Sequence, residues 1–167
     1  RGIGTRGDMV MLDLGCGSGL TWFTFRPRAA HLTGIDLSPE MVELARGRGL
    51  YDSLEVAEVT AWLEGGDSLF DMVVSTDVII YFGDLSAITA AVARRLKPGG
   101  LFAFSTELGS RPPFQLTDTG RYNHHPDHVQ AVAAATGLSV EAITQAFLRT
   151  EYGVDVMGLF AVLKKPA

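Results

Sequence analysis

Short, dense apolar runs alternate along this chain with stretches whose apolar positions recur at helical spacing. Met9–Leu14 is nearly all apolar, the pattern of a strand buried on both faces. A first helix is predicted from about Ser18, carrying Leu20, Trp22, Phe23 and Phe25 until Pro27 stops it. A short second strand follows at residues 32–36. Ser38-Pro39-Glu40 then opens a helix with serine as N-cap and proline in the first helical position. Met41, Val42, Leu44 and Ala45 supply its apolar face, and Gly47 to Gly49 end it.

The alternation continues. Residues 54–59 read as a third strand with Glu55 and Glu58 as its polar members, and residues 60–63 as a helical turn before the Gly65-Gly66-Asp67 loop. Phe70–Ser75 is a fourth strand and residues 84–96 an amphipathic helix. Lys97-Pro98-Gly99-Gly100 supplies a stop and a turn before a fifth strand at residues 101–105. Residues 107–123, rich in glycine, proline and polar side chains, are predicted as one long loop. A helix at residues 126–136 ends at Gly137. Two apolar stretches, 140–148 and 157–163, are predicted to close the chain as an antiparallel hairpin turning near Tyr152 to Asp155. Strands alternating with helices imply an α/β fold: a doubly wound, mostly parallel sheet covered on both faces, plus that hairpin.

Composition narrows this picture. The 167 residues suit one domain, with 47% hydrophobic and 20% charged residues, as in a soluble globular protein. A net charge of −5 argues against a general binder of nucleic-acid backbones. No apolar run approaches the ~18 residues of a membrane span. The one cysteine, Cys16, rules out an internal disulfide and makes a cytoplasmic setting the simplest one. Residues 1–8 are polar and glycine-rich, with neither a signal-peptide core nor an initiator Met, so a longer parent chain with an N-terminal partner domain is expected.

The chemistry starts where the first strand ends. Leu14-Gly15-Cys16-Gly17-Ser18-Gly19 is a glycine turn leading toward a helix, and Asp36 lies twenty-one residues beyond Gly15, at the end of the next strand. An acidic side chain there can accept both hydroxyls of a ribose. The alternative, helix capping by Asp36, competes with Ser38, which already fills that position. Two details turn the pattern away from a dinucleotide. The third glycine follows the second by two residues instead of three. Asp13, just before the turn, would also repel a bound phosphate. A ligand carrying positive charge suits it better, and S-adenosylmethionine carries a sulfonium and an ammonium.

Four segments, 11–19, 34–41, 70–75 and 96–100, resemble the ordered motifs of class I S-adenosylmethionine-dependent methyltransferases. Residues 29–62 and 120–163 are also similar to a bacterial group of predicted methyltransferases, some of which carry tetratricopeptide repeats in front. The resemblance implies a Rossmann-like methyltransferase fold, S-adenosylmethionine as cofactor, a small-molecule acceptor and helices ahead of the first strand. It places Asp13, Gly15 and Gly17 around the methionine moiety, Asp36 on the ribose and Leu37 on the adenine, and counts Cys16 and Met41 among the cofactor-binding residues. Glu58 would accept the adenine amino group with Val59 beside it, in a position where the family commonly has Asp. Thr76 and Asp77 would face the sulfonium and the incoming nucleophile, with Asp77 as cation partner or proton acceptor. Tyr81 stands where many relatives have His, and a tyrosine of ordinary pKa is a poor base at neutral pH.

Other base candidates sit after the fifth strand: Glu107, Arg121, Tyr122, His124 and His125, with His124 in front because imidazole titrates near neutrality. Solvated loop histidines are the alternative. A metal site built from His124, His125 and His128 is disfavoured, because Pro126-Asp127 looks like a helix start that separates the side chains. Cys16 reads as packing in a crowded turn rather than as a nucleophile. Two other functions share the pattern: a nicotinamide oxidoreductase, which the glycine spacing and Asp13 count against, and a non-catalytic cofactor-binding module.

Overall fold

The computed structural model describes residues 7–20 and 22–167. The predicted lead-in up to residue 6 lies outside them. β1 (Met9–Leu14), β2 (Ala29–Asp36), β3 (Ser53–Val56), β4 (Phe70–Ser75) and β5 (Leu96–Leu108) form a parallel sheet in the order β3-β2-β1-β4-β5. The helices are α1 (Trp22–Phe25), α2 (Pro39–Arg48), α3 (Val59–Gly65), α4 (Ser86–Arg95) and α5 (Pro126–Ala135), with 3-10 turns at Arg26–Arg28 and Ile79–Tyr81. β6 (Phe114–Leu116) and β7 (Tyr122–His124) pair antiparallel, and β7 joins the end of β5 at Glu107 and Leu108. β8 (Ser139–Glu151) and β9 (Val154–Lys164) make the predicted hairpin, with β9 antiparallel to β5 from Leu101 to Glu107.

The pleat sorts the core. Leu12, Leu14 and Val73 point into a cluster with Leu63, Ile88, Val92 and Phe102, whereas Met9, Met11, Met72 and Val74 belong to a smaller cluster on the opposite face. Both faces of the central strands are therefore buried, as their unbroken apolar runs require. No helix among the described residues is long and apolar enough to cross a membrane.

Several boundaries differ from expectation. The first helix is only four residues long, and Pro27 sits inside the 3-10 turn that follows rather than ending the helix. β3 stops at Val56, because the Glu58 side chain caps α3 by accepting from Thr60 N at 3.0 Å and Ala61 N at 2.8 Å. α4 ends at Arg95; Leu96, expected at the helix end, and residues 97–100, expected as a stop and a turn, open β5, where Leu96 pairs with Phe70 before a register shift. The long loop expected at 107–123 holds the end of β5, all of β6 and the start of β7.

Arg95 shows how the helical layer is locked. It is 3% exposed and lies 4.6 Å from the Trp62 ring centroid. Its Nε donates to Ser68 O at 2.6 Å, and its Nη1 donates to Leu63 O at 3.0 Å and Trp62 O at 3.3 Å, serving carbonyls that the end of α3 leaves open. Arg95→Ala is expected to cost about 2 kcal/mol in urea unfolding, since one buried and two part-buried carbonyls lose their donor. A loss below about 0.5 kcal/mol would contradict that role.

Candidate functional site

Leu14 lies opposite Ile35 on one side and Ser75 on the other, so β1 and β4 end level and β2 one residue beyond them. Gly15, Asp36 and Thr76, the next residue of each strand, emerge side by side. This is the carboxyl edge of a parallel sheet, where such folds bind ligands. The glycine turn is pinned to β2: Gly15 N and Cys16 N donate to Ile35 O at 2.7 and 3.0 Å, and Gly17 N donates to Asp36 Oδ2 at 2.8 Å. Asp36 Oδ1 accepts from Ser38 N at 2.9 Å, while the Ser38 hydroxyl accepts from Met41 N at 3.3 Å as the N-cap of α2. One carboxylate therefore ties the turn to the entrance of α2.

A cleft of about 460 Å³ opens over this edge. Gly15 and Gly17 form its floor, and Asp36 with Leu37 one side. Glu58 and Val59 enter from the start of α3, and Thr76, Asp77 and Tyr81 from the segment after β4. Val78 and Phe82 complete the wall; as apolar residues in a loop they gave no signal in sequence that separates wall from core. Glu58 caps α3 from within this lining. Burial opposes its charge, but the Ala61 and Thr60 amides outweigh burial and hold the carboxyl below its usual range. Asp77 adopts a left-handed φ of 58° with its side chain 72% exposed, a strained conformation of a kind that gathers at ligand sites.

Asp13, Cys16 and Met41 lie off this lining. Asp13 is 4% exposed beneath the turn; Tyr51 Oη donates to its Oδ2 at 2.6 Å, and Oδ1 has no hydrogen-bond partner among the described residues. Burial pushes its carboxyl up to about 6, against the Tyr51 bond and with help from the Asp36 charge. Burial, with Asp13 and Asp36 nearby, also pushes the Cys16 thiol up to about 12, so it is no nucleophile at neutral pH. Met41 stands part-exposed on α2.

Residues 12–104 match the family described as methyltransferase domain. The chain belongs to the methyltransferase domain family. It is 37% identical over 116 residues to a ubiquinone biosynthesis O-methyltransferase of Xanthomonas oryzae pv. oryzae, covering 66% of this chain and 48% of that protein. It is 30% identical over 161 residues to a malonyl-acyl-carrier-protein O-methyltransferase of Serratia marcescens, covering 92% and 62%. The crystal structure of an S-adenosylmethionine-dependent methyltransferase from Methanosarcina mazei superposes with a TM-score of 0.76 at 22% identity, covering 96% and 94%, a likeness of fold. The chain spans about half the length of the ubiquinone-biosynthesis relatives it matches.

Every lining residue of the cleft falls inside the matched segment of this methyltransferase domain. Beyond it, a lattice of charge stands at the Asp77 end. Glu107, 8% exposed on β5, meets Arg149 of β8, and also Arg121 Nε at 3.5 Å. Arg121 also binds Glu151, which lies 3.4 Å from Arg149 Nε, and Arg149 Nη1 reaches to 3.9 Å from Asp77. Arg149 and Glu151 carried no signal in sequence, because the alternation around them reads only as hairpin.

The histidines take other places than expected. His125 caps α5, its Nδ1 accepting from Asp127 N at 3.2 Å. Tyr122 packs edge-on against Phe114, with centroids 5.9 Å apart. His124 is fully buried and off the cleft, with one nitrogen against Thr106 and the other against backbone carbonyls, so a base at His124 has no access to an acceptor. His124 and His128 stack with centroids 6.0 Å apart, and among the described residues no three His, Cys, Asp or Glu side chains converge as a metal site.

Proposed function

We propose that this methyltransferase domain binds S-adenosylmethionine in the cleft and methylates a small-molecule acceptor at the Asp77–Tyr81 end. The observation that carries the reading is the ending of β1, β2 and β4 within one residue of one another, which brings the glycine turn, Asp36 and the segment after β4 around one cleft. The residues present fit such a cofactor. A Cβ at Gly17 would meet nothing within 4 Å, leaving backbone open to close approach. Asp13 Oδ1 is a buried carboxylate oxygen with no partner among the described residues, suited to a nearby cationic group.

In this reading Asp36 holds the ribose hydroxyls through lone pairs its two amide partners leave free. Leu37 and Val59 flank the adenine, and Glu58 faces its amino group. The cofactor, when bound, supplies a methyl group made electrophilic by a sulfonium. The protein aligns the acceptor and excludes water, and the apolar wall of Val78 and Phe82 serves that end. Asp77 neutralises positive charge there and takes up the proton that an O–H or N–H acceptor releases; Tyr81 orients that acceptor. No covalent bond to the enzyme forms, in keeping with the inert Cys16. A partner segment N-terminal to β1 and a cytoplasmic setting complete the proposal.

Titration calorimetry with S-adenosylhomocysteine tests it. Micromolar binding is expected, with Asp36→Ala raising Kd by at least about tenfold while the fold, checked by circular dichroism, persists. A folded wild-type protein that takes up no ligand would overturn the reading.

A further inference from the structure

His124, placed by sequence among the catalytic candidates, has a different task in the fold. Its Nε2 lies 2.8 Å from Phe82 O and 3.0 Å from Gly83 O, and its Nδ1 lies 2.6 Å from Thr106 Oγ1. Carbonyls only accept, so Nε2 carries the hydrogen and Nδ1 accepts from the Thr106 hydroxyl. Burial pushes the imidazole pKa down, which keeps this neutral tautomer at physiological pH. His128, stacked on His124, accepts from Leu85 N at 3.2 Å through its own Nε2. Gly83 is pressed against Phe114 and Tyr122, where an added Cβ would stand 2.8 and 2.9 Å from their rings.

Residues 82–85 are thus gripped from β6, β7 and α5, with Thr106 of β5 holding the His124 ring in place. The other side of the same short segment belongs to the cleft, through Tyr81 and Phe82. His124 and His128 both lie beyond residue 104, where the family match ends, so the grip comes from outside the shared cofactor half. We propose that His124 is a positioning residue, whose hydrogen bonds to the Phe82 and Gly83 carbonyls set where Tyr81 and Phe82 stand at the acceptor end of the cleft. The proposal rests on the cofactor reading of the cleft for its meaning, and on the backbone contacts for its geometry.

Amide hydrogen exchange on the ligand-free protein, together with S-adenosylhomocysteine calorimetry, tests it on three variants. His124→Leu removes the donor, His124→Gln restores an amide donor near Nε2, and Val132→Ala loosens the α5 core without touching the segment. His124→Leu is expected to speed exchange at Ile80, Tyr81, Phe82 and Leu85 by about tenfold or more beyond its effect on other amides. It should also weaken ligand binding by about fivefold or more. His124→Gln should bring both back to within about threefold of wild type, and Val132→Ala should leave this segment no faster than the rest. Should His124→Leu not fold, Thr106→Val is read instead and should loosen the same amides. Uniform loosening in His124→Leu, or a Gln variant no better than Leu, overturns the proposal. Absence of ligand binding by wild type sinks the cofactor reading alone, since the exchange pattern still decides the grip.

Discussion

Adding one methyl group at Gly15 should cost this domain its ligand before it costs the fold. Gly15 has a φ of +71°, and a Cβ there would stand 1.8 Å from Val78 Cγ2. The left-handed backbone alone costs a non-glycine residue about 1–3 kcal/mol. The clash is relieved by moving Val78, which is a cleft wall on the segment that also carries Asp77 and Tyr81. Gly15→Ala should therefore raise Kd for S-adenosylhomocysteine by about a hundredfold, equivalent to about 2.7 kcal/mol. Gly17→Ala separates the terms: its φ is +52°, and its added Cβ meets nothing within 4 Å. In the ligand-free protein Gly17→Ala should be the less destabilising of the two. The double variant Gly15→Ala with Val78→Ala should recover part of the stability lost by Gly15→Ala, because the atom in conflict is gone. Binding by Gly15→Ala within about threefold of wild type would show that Val78 moves without disturbing the ligand.

A sequence discloses the parts of this fold that rest on short-range interactions. β1 and β4 fall where their apolar runs predict, residue for residue, because a strand buried on both faces is a local pattern. β2 begins at Ala29 instead of residue 32, since pairing with the start of β1 extends it beyond its own hydrophobic run. β3 ends short of the strand expected at 54–59 because, although that stretch alternates well enough for a strand, a capping carboxylate at Glu58 commits its last residues to a helix. Lys97 to Gly100 looks like a turn, yet the pairing of Leu96 with Phe70 absorbs it into a strand with a register shift. The cleft shows the same division. Gly15, Gly17, Asp36, Leu37, Glu58, Val59, Thr76, Asp77 and Tyr81 follow strand ends directly or closely, and strand ends are legible. Asp13 turns to a tyrosine thirty-eight residues away, and His124 to carbonyls more than forty away. Spacing carries nothing about such partners.

Asp13→Asn should make the ligand-free domain more stable at neutral pH, by up to about 3 kcal/mol. Burial raises the folded-state pKa of Asp13 from 3.8 to about 6, a shift of about two units at 1.36 kcal/mol each. A carboxyl whose folded pKa lies above its unfolded value favours folding fully only below the unfolded one. That contribution is lost as pH rises through the folded pKa. Wild type should thus lose stability relative to Asp13→Asn between about pH 4 and pH 7, and the two should converge near pH 4. Urea unfolding of both proteins across that window reads the difference directly, with other titrating groups cancelling. A gap that stays constant from pH 4 to 7.5 would show that Asp13 is not ionising against its surroundings. The charge also explains why a residue that weakens the fold suits the proposed function. Among the described residues its Oδ1 is unpaired and the Tyr51 hydroxyl serves only Oδ2, so a cationic ligand group near the turn would complete its pairing. Ligand binding should then tighten as pH rises through 6 in wild type and stay flat in Asp13→Asn. The variant that folds better should bind worse, a trade of stability for function at a single carboxylate.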